Sequence, residues 1–271
     1  MSRGGRPVAR RTLLLGAAAA ATASCDLSIS TSGSATTHAH SHRMDGTLTS
    51  VHLAPEESAW SLLMPMGKGS RALVIGLHGK GSNGPEMMDM LALDEHVART
   101  ELAVATISGG DTYWHKRRSG VDAGAMVMQD FLPLMRSYAK IPESTSLGFL
   151  GFSMGGYGSL LLASAMKPAT VLGVVAQSAA LWTDPGDSAE GAFDDREDFV
   201  AHDVFRRAKA LSRIPIRLDC GTDDPFIAAN RAFARDIVPH AVTNFDAGGH
   251  TGDYWRSHAG ADLDWLAAQL S

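Results

Sequence analysis

Three short segments carry residue types that together can do nucleophilic chemistry: Gly151-Phe152-Ser153-Met154-Gly155, Gly221-Thr222-Asp223-Asp224-Pro225 and Gly248-Gly249-His250. A serine hydroxyl is a weak nucleophile by itself. It needs a base to take its proton, and the base needs an acid to fix its tautomer. Serine, then acid, then histidine is one of the chain orders in which such triads occur. A G-x-S-x-G pentapeptide means little without context. Here an apolar run ends at Phe149-Leu150 just before it, and a helical pattern begins just after, at Gly156-Tyr157-Gly158. A tight strand-to-helix turn forces its serine into strained dihedrals, flanking glycines avoid the clash, and the hydroxyl stands above the sheet. The helix N-terminus beside it favours negative charge. Ser153 is the expected nucleophile.

Two neighbouring aspartates compete for the role of the acid. Asp224 precedes Pro225, which biases it towards extended geometry and a fixed loop position; Asp223 is the alternative, or a cap for the following helix. Asp224 is the preferred reading. His250 follows two glycines that let its loop bend over the sheet edge, and it is the expected base. His202, His240 and His258 fall beside or inside other elements and read as surface or packing residues. The developing oxyanion needs two backbone donors. Met154 N–H, next to the nucleophile, is one. The other is expected in the glycine-rich loop Leu77-His78-Gly79-Lys80-Gly81, from Lys80 N–H, with Gly79 next in line. His78 reads as a structural histidine of that loop.

Tyr113 and Trp114 lie in a segment that follows an apolar strand, at the edge where ligands bind in such sheets, and are candidate walls of the substrate pocket. Trp182 is a candidate cover from the other side. Arg117 and Arg118 read as solvated, or as contacts for an anionic substrate.

These residues need a scaffold. Runs such as Arg71–Leu77, Leu102–Ile107, Ser146–Phe152, Val171–Gln177, Ile214–Cys220 and Ala241–Phe245 read as strands. Between them, Pro85–Thr100, Ala123–Tyr138, Met154–Met166, Phe199–Leu211 and Phe226–Val238 read as helices, and Gly252–Leu270 follows as another. Unbroken apolar strands alternating with amphipathic helices predict an α/β fold, with a mostly parallel sheet covered on both faces. Thr47–Leu53 and Ala59–Met64 are expected to add an antiparallel edge. The acidic stretch 179–198 is long enough for a partial lid.

Residues 1–25 read as an export leader. Arg10-Arg11-Thr12-Leu13-Leu14-Leu15 has the twin-arginine pattern and an apolar run follows it. Thr22-Ala23-Ser24-Cys25 is similar to a lipoprotein cleavage box, with Thr22 where leucine is usual, so Cys25 is a candidate for lipidation and membrane anchoring. Residues 26–44, rich in Ser, Thr and Ala, are expected to form a flexible linker, and 45–271 a single catalytic domain. His38, His40 and His42 alternate within the linker and read as solvated. The leader holds four of the 24 basic residues and no acid, so the remainder carries 20 against 29 acids, a formal charge of −9. That balance argues against nucleic acid as a partner. With Cys25 processed, Cys220 has no disulfide partner and reads as a small buried hydrophobe. Oligomeric state is not legible.

The set Leu77-His78-Gly79, Gly-Phe-Ser153-Met-Gly-Gly-Tyr-Gly, Gly-Thr-Asp-Asp224-Pro and Gly-Gly-His250-Thr-Gly-Asp-Tyr-Trp255 resembles a particular branch of the α/β-hydrolase superfamily. That branch holds esterase D, the tributyrin-type esterases and the mycolyltransferases of the antigen 85 complex. The resemblance runs from about residue 70 to 256. It implies an α/β-hydrolase fold and hydrolysis of carboxylic esters, or acyl transfer, with neither metal nor organic cofactor. The substrate would be a small-molecule or lipid ester. The leader is unlike that of the cytosolic esterase D type, which argues against S-formylglutathione as substrate. An envelope acyltransferase and a non-catalytic binding protein on the same fold are the alternatives.

Overall fold

The computed structural model describes Met1, the backbone of residues 37–38, and residues 41–53, 56–67 and 69–270. The rest of the leader, Cys25 and most of the linker lie outside the described residues. Among the described residues, nine strands form one sheet: β1 (Thr37–His38), β2 (Ser41–Thr49), β3 (Glu57–Pro65), β4 (Ala72–Leu77), β5 (Leu102–Ile107), β6 (Leu147–Phe152), β7 (Val171–Gln177), β8 (Ile216–Asp219) and β9 (Val242–Asn244). Their order is β1-β2-β3-β5-β4-β6-β7-β8-β9. Pairing is antiparallel from β1 to β5 and parallel from β5 to β9. This is the α/β-hydrolase architecture that the motifs imply. The linker ends earlier than its composition suggests. Residues 41–44 belong to β2, because Ser41 to Thr49 pair continuously with Pro65 to Glu57.

The central strands are buried along their whole length, and the pleat divides their side chains between two cores. Leu73, Ile75 and Leu77 of β4 join one core with Met126, Phe131, Leu160 and Phe233. Ala72 and Val74 join the other with Met87, Val97, Leu263 and Leu266. Helices therefore cover both faces. In chain order they are α1 (Gly84–Met90), α2 (Asp94–Thr100), α3 (Ala123–Ala125), α4 (Leu132–Ala139), α5 (Met154–Ser164), α6 (Arg196–His202), α7 (Ala208–Leu211), α8 (Ile227–Asp236) and α9 (Gly252–Ala268).

Of the helices expected to be continuous, two are broken and a third changes pitch, each for a local reason. The run from 85 to 100 divides at Ala92, whose φ is 48°; the turn lets Leu91 and Leu93 both point into the core. The run from 123 to 138 widens to π geometry over Met126–Phe131. Pro133 has no N–H to give to the carbonyl one turn back, and just before it Leu132 N–H reaches Val127 O instead. The run from 199 to 211 stops at Asp203, whose carboxylate accepts from Phe205 N–H at 2.8 Å. Short polar side chains favour such local caps over helix continuation.

Candidate active site

β6 runs directly into α5, and Ser153 stands between them with φ 55° and ψ −120°. The two flanking glycines make this turn feasible. A Cβ on Gly155 would overlap the Leu77 carbonyl, and one on Gly151 would overlap the Gly155 carbonyl. Ser153 N–H donates to Gln177 O at 2.9 Å, and Ala180 N–H donates to Ser153 O at 3.0 Å, so the turn is tied to the end of β7. Met154 opens α5, where helical N–H groups have no partner within the helix.

His250 completes the constellation. Its Nε2 lies 2.9 Å from Ser153 Oγ, and its Nδ1 lies 2.8 Å from Asp224 Oδ2. The Asp224 side chain is fully buried, whereas that of His250 is 26% exposed. The carboxylate end is sealed and the imidazole reaches the open side. Burial opposes ionisation of Asp224, but bonds from His250, Phe226 N–H and the Ser178 hydroxyl outweigh it and hold the carboxyl below the usual carboxylate range. An ionised acid keeps the proton on Nδ1, and that leaves Nε2 free to accept the serine proton.

The two aspartates lie differently with respect to His250. Asp223 is exposed and meets the histidine loop only through its backbone, donating N–H to Gly248 O at 2.8 Å. Nor does it cap α8: the bond at that turn is Phe226 N–H to Asp224 Oδ1, 2.8 Å. The acid and histidine loops lie backbone against backbone. Thr222 N–H donates to Asp246 O at 2.7 Å, and a Cβ on Gly221 would overlap the Gly248 carbonyl.

The loop after β4 faces Ser153, since a Cβ on Gly79 would stand 3.3 Å from Ser153 Cβ. Lys80 follows in that loop, and its ammonium donates to Glu190 O at 3.1 Å. His78 is structural, as its sequence context suggests. Gly109 N–H donates to its Nε2 at 3.0 Å, which places the ring proton on Nδ1, 2.8 Å from Gly79 O. Burial lowers its affinity for a second proton.

The pocket expectations need correction. Trp114 is not a pocket wall. It is fully buried, its indole fills the space beside Gly109 and Gly158, and its Nε1 donates to His78 O at 3.4 Å. Trp114 therefore buttresses the loop after β4 from behind. Consecutive positive φ values at Tyr113 (57°) and Trp114 (59°) turn this segment inward. Tyr113 is also buried and supports Trp182, ring centroids 5.8 Å apart. Trp182 does border a cleft of about 570 Å³, together with Leu181, Pro225, Phe226 and Ala229. Phe226 connects this cleft to His250, with its ring 5.5 Å from Trp182 and 5.3 Å from His250. Arg117 is not solvated: its guanidinium holds Asp194 at 3.0 Å and the Gly191 carbonyl at 2.8 Å. Arg118 pairs with Asp195.

Sequence reasoning missed three supporting residues. Phe226 follows Pro225 in the loop that carries Asp224, and Ser178 is the first residue after β7, so position alone could have marked both. Trp255 stacks on Phe152 at 4.4 Å, meets the His250 ring edge-on at 4.9 Å and donates Nε1–H to Ser178 Oγ at 2.9 Å. Cys220 is free and buried. Burial and the nearby Asp224 charge push its thiol up to about 12. Iodoacetamide at pH 8 should therefore leave the Cys220 peptide unmodified in native protein and alkylate it in urea, because the thiolate is the reactive form. Rapid native alkylation would contradict this burial.

No curated protein matches the sequence. A family model described as "Putative esterase" matches residues 126–266, more than half of the 271, and that segment contains Ser153, Asp224 and His250. Among solved structures, a ferulic acid esterase aligns with TM-score 0.70 at 20% identity, covering 85% of this chain and 98% of its own. FphF, a fluorophosphonate-binding serine hydrolase of Staphylococcus aureus, aligns at 0.72 and 16%, covering 84% and 99%. An S-formylglutathione hydrolase from Agrobacterium tumefaciens aligns at 0.73 and 16%, covering 88% and 99%. At such identities these likenesses show a shared fold.

Proposed function

The chain belongs to the esterase family whose model it matches, an ester-hydrolysing enzyme, and on that premise we propose that it is an exported serine carboxylesterase working through an acyl-enzyme on Ser153. One observation carries the reading: His250 bridges Ser153 Oγ and a buried, ionised Asp224 at 2.9 and 2.8 Å.

In this mechanism Ser153 Oγ attacks the ester carbonyl carbon while His250 Nε2 takes the hydroxyl proton, and Asp224 stabilises the imidazolium formed. The carbonyl oxygen gains negative charge and is received by Met154 N–H and by Lys80 N–H from the loop that faces Ser153. Collapse of the tetrahedral species expels the alcohol, which takes the proton from His250. Water then attacks the acyl-enzyme by the same route in reverse roles and frees the acid. The cleft bordered by Trp182 and Phe226 is lined mostly by apolar side chains, and Phe226 links it to His250, which suits an apolar group on the ester.

A series of p-nitrophenyl esters of increasing acyl length tests hydrolysis and the cleft together. The expected result is burst kinetics and a kcat/KM optimum that Trp182→Ala shifts or flattens. A profile identical in that variant would remove the cleft from substrate binding. Adding an acceptor alcohol measures transfer; ester product outpacing acid would favour the acyltransferase reading.

Export is part of the proposal and rests on Arg10-Arg11 and the apolar run after them. Arg10→Lys with Arg11→Lys should retain the protein in the cytoplasm of fractionated cells, and normal export of that variant would refute twin-arginine routing. Cys25→Ala should release the exported protein from the membrane fraction; an unchanged partition would refute the lipid anchor.

A further inference from the structure

Outside the triad, the one group of three metal-ligating side chains brought together among the described residues is His115, Asp198 and His202, with one ligand atom from each within 4.8 Å of the others. His115 comes from the loop after β5. Asp198 and His202 sit four apart on α6, the spacing that aligns two side chains on one helical face. α6 lies in the long excursion between β7 and β8, so the group joins two segments distant in sequence.

His115 is in an unusual position. Its side chain is 1% exposed, and both ring nitrogens face carbonyl oxygens: Nε2 is 3.1 Å from Ala192 O, and Nδ1 is 3.1 Å from Lys116 O. A neutral imidazole carries only one N–H. With Nε2–H given to Ala192, the Nδ1 lone pair looks at the Lys116 carbonyl and, 3.7 Å away, at Asp198 Oδ1. A lone pair among oxygens is favourable only with a cation between them.

The other two side chains lie beside this lone pair. Asp198 Oδ2 accepts Asp194 N–H at 2.8 Å, which fixes the carboxylate and leaves Oδ1 for a ligand. His202 Nδ1 lies 2.8 Å from that Oδ1. Ligands bound at about 2.0–2.1 Å to a tetrahedral zinc stand about 3.3 Å apart, and the two measured separations, 2.8 and 3.7 Å, bracket that value. The His115 Nε2 bond to a backbone carbonyl is the usual outer partner of a metal-bound histidine. The two imidazoles stack with centroids 4.3 Å apart, so His202, whose side chain is 24% exposed, is the ligand that turns to complete the shell. We infer that His115, Asp198 and His202 bind one Zn²⁺, which staples the excursion between β7 and β8 to the loop after β5. The fourth position is open to water or to the Lys116 carbonyl. His115 stacks on Phe193 at 5.3 Å, and Phe193 meets Trp182 at 6.1 Å, so the staple holds the cleft wall from behind.

The test uses the full chain, stripped with chelator, loaded with ZnCl₂, passed through gel filtration and assayed for metal. The expected result is one zinc per chain and a Tm raised by about 5–10 °C at free zinc one hundred times Kd. Asp198→Asn and His202→Gln should each lose the metal while keeping the native far-UV dichroism. His38→Gln/His40→Gln/His42→Gln should keep it, which excludes the alternating histidines near the N-terminus. Wild-type protein that retains no zinc overturns the proposal, as does equal retention in Asp198→Asn and His202→Gln, or loss in the triple variant. Should either single variant misfold, Co²⁺ loading of the wild type decides: intense tetrahedral d–d bands support the site, and weak octahedral bands overturn it.

Discussion

Ser153→Ala is expected to lower kcat for carboxylic esters by about 10⁴-fold or more, with the fold intact. The size follows from the chemistry. Without Oγ no acyl-enzyme forms, and only the oxyanion donors and substrate binding remain to accelerate attack by water. The fold should survive because the hydroxyl's partner is His250 Nε2, whereas the turn is held by main-chain bonds to Gln177 and from Ala180. Alanine at φ 55° bears the same backbone strain as serine. Thermal melting and steady-state kinetics on one preparation separate the two effects. Retained turnover would move the nucleophile elsewhere. A collapsed melting transition would mean that the hydroxyl supports the fold.

Asp224→Asn should cost about 10³–10⁴ in kcat. The asparagine can offer its NH₂ to Nδ1, which favours the tautomer with the proton on Nε2, where it cannot accept from serine. Asp223→Asn, exposed and joined to the histidine loop only by its backbone, should change turnover little and stability by no more than about 0.5 kcal/mol. A pH signature accompanies the first variant. Because the native carboxyl of Asp224 is held below the usual carboxylate range, its contribution to stability is complete above that range. It is lost as pH falls through the depressed native value. Asp224→Asn should therefore flatten part of the acid limb of Tm against pH, and Asp223→Asn should leave it unchanged. Crippled turnover in Asp223→Asn with normal turnover in Asp224→Asn would transfer the role.

The parts of the site legible in sequence were those fixed by local chemistry. The glycines around Ser153 and before His250 mark places where backbones must approach closely. Pro225 restricts Asp224, and the apolar runs of β4 to β7 could only be buried strands. The illegible parts depend on which way a side chain faces. Tyr113-Trp114 sits at the ligand edge in sequence, yet two positive φ values turn Trp114 under the loop after β4, and no local pattern announces them. Arg117 looks solvated until the chain returns 77 residues later with Asp194, whereas Arg118 stays exposed beside Asp195. The same return brings Asp198 and His202 to His115, a meeting that spacing alone does not foretell. Helix breaks at Ala92 and Asp203 reflect tertiary demand and local capping overriding the helical period.

The central claim is that Ser153 is the activated serine of an acyl-enzyme mechanism, and active-site labelling tests it most directly. A fluorophosphonate reacts with a serine whose proton is taken by a base beside an oxyanion hole. Among the serines of the described residues, only Ser153 has its hydroxyl 2.9 Å from a histidine nitrogen that is itself bonded to a buried carboxylate. Mass spectrometry of the tryptic digest should place the label on Ser153 alone, with none on the Ser153→Ala or His250→Gln protein. A label on another serine, or undiminished labelling of Ser153→Ala, would contradict the account.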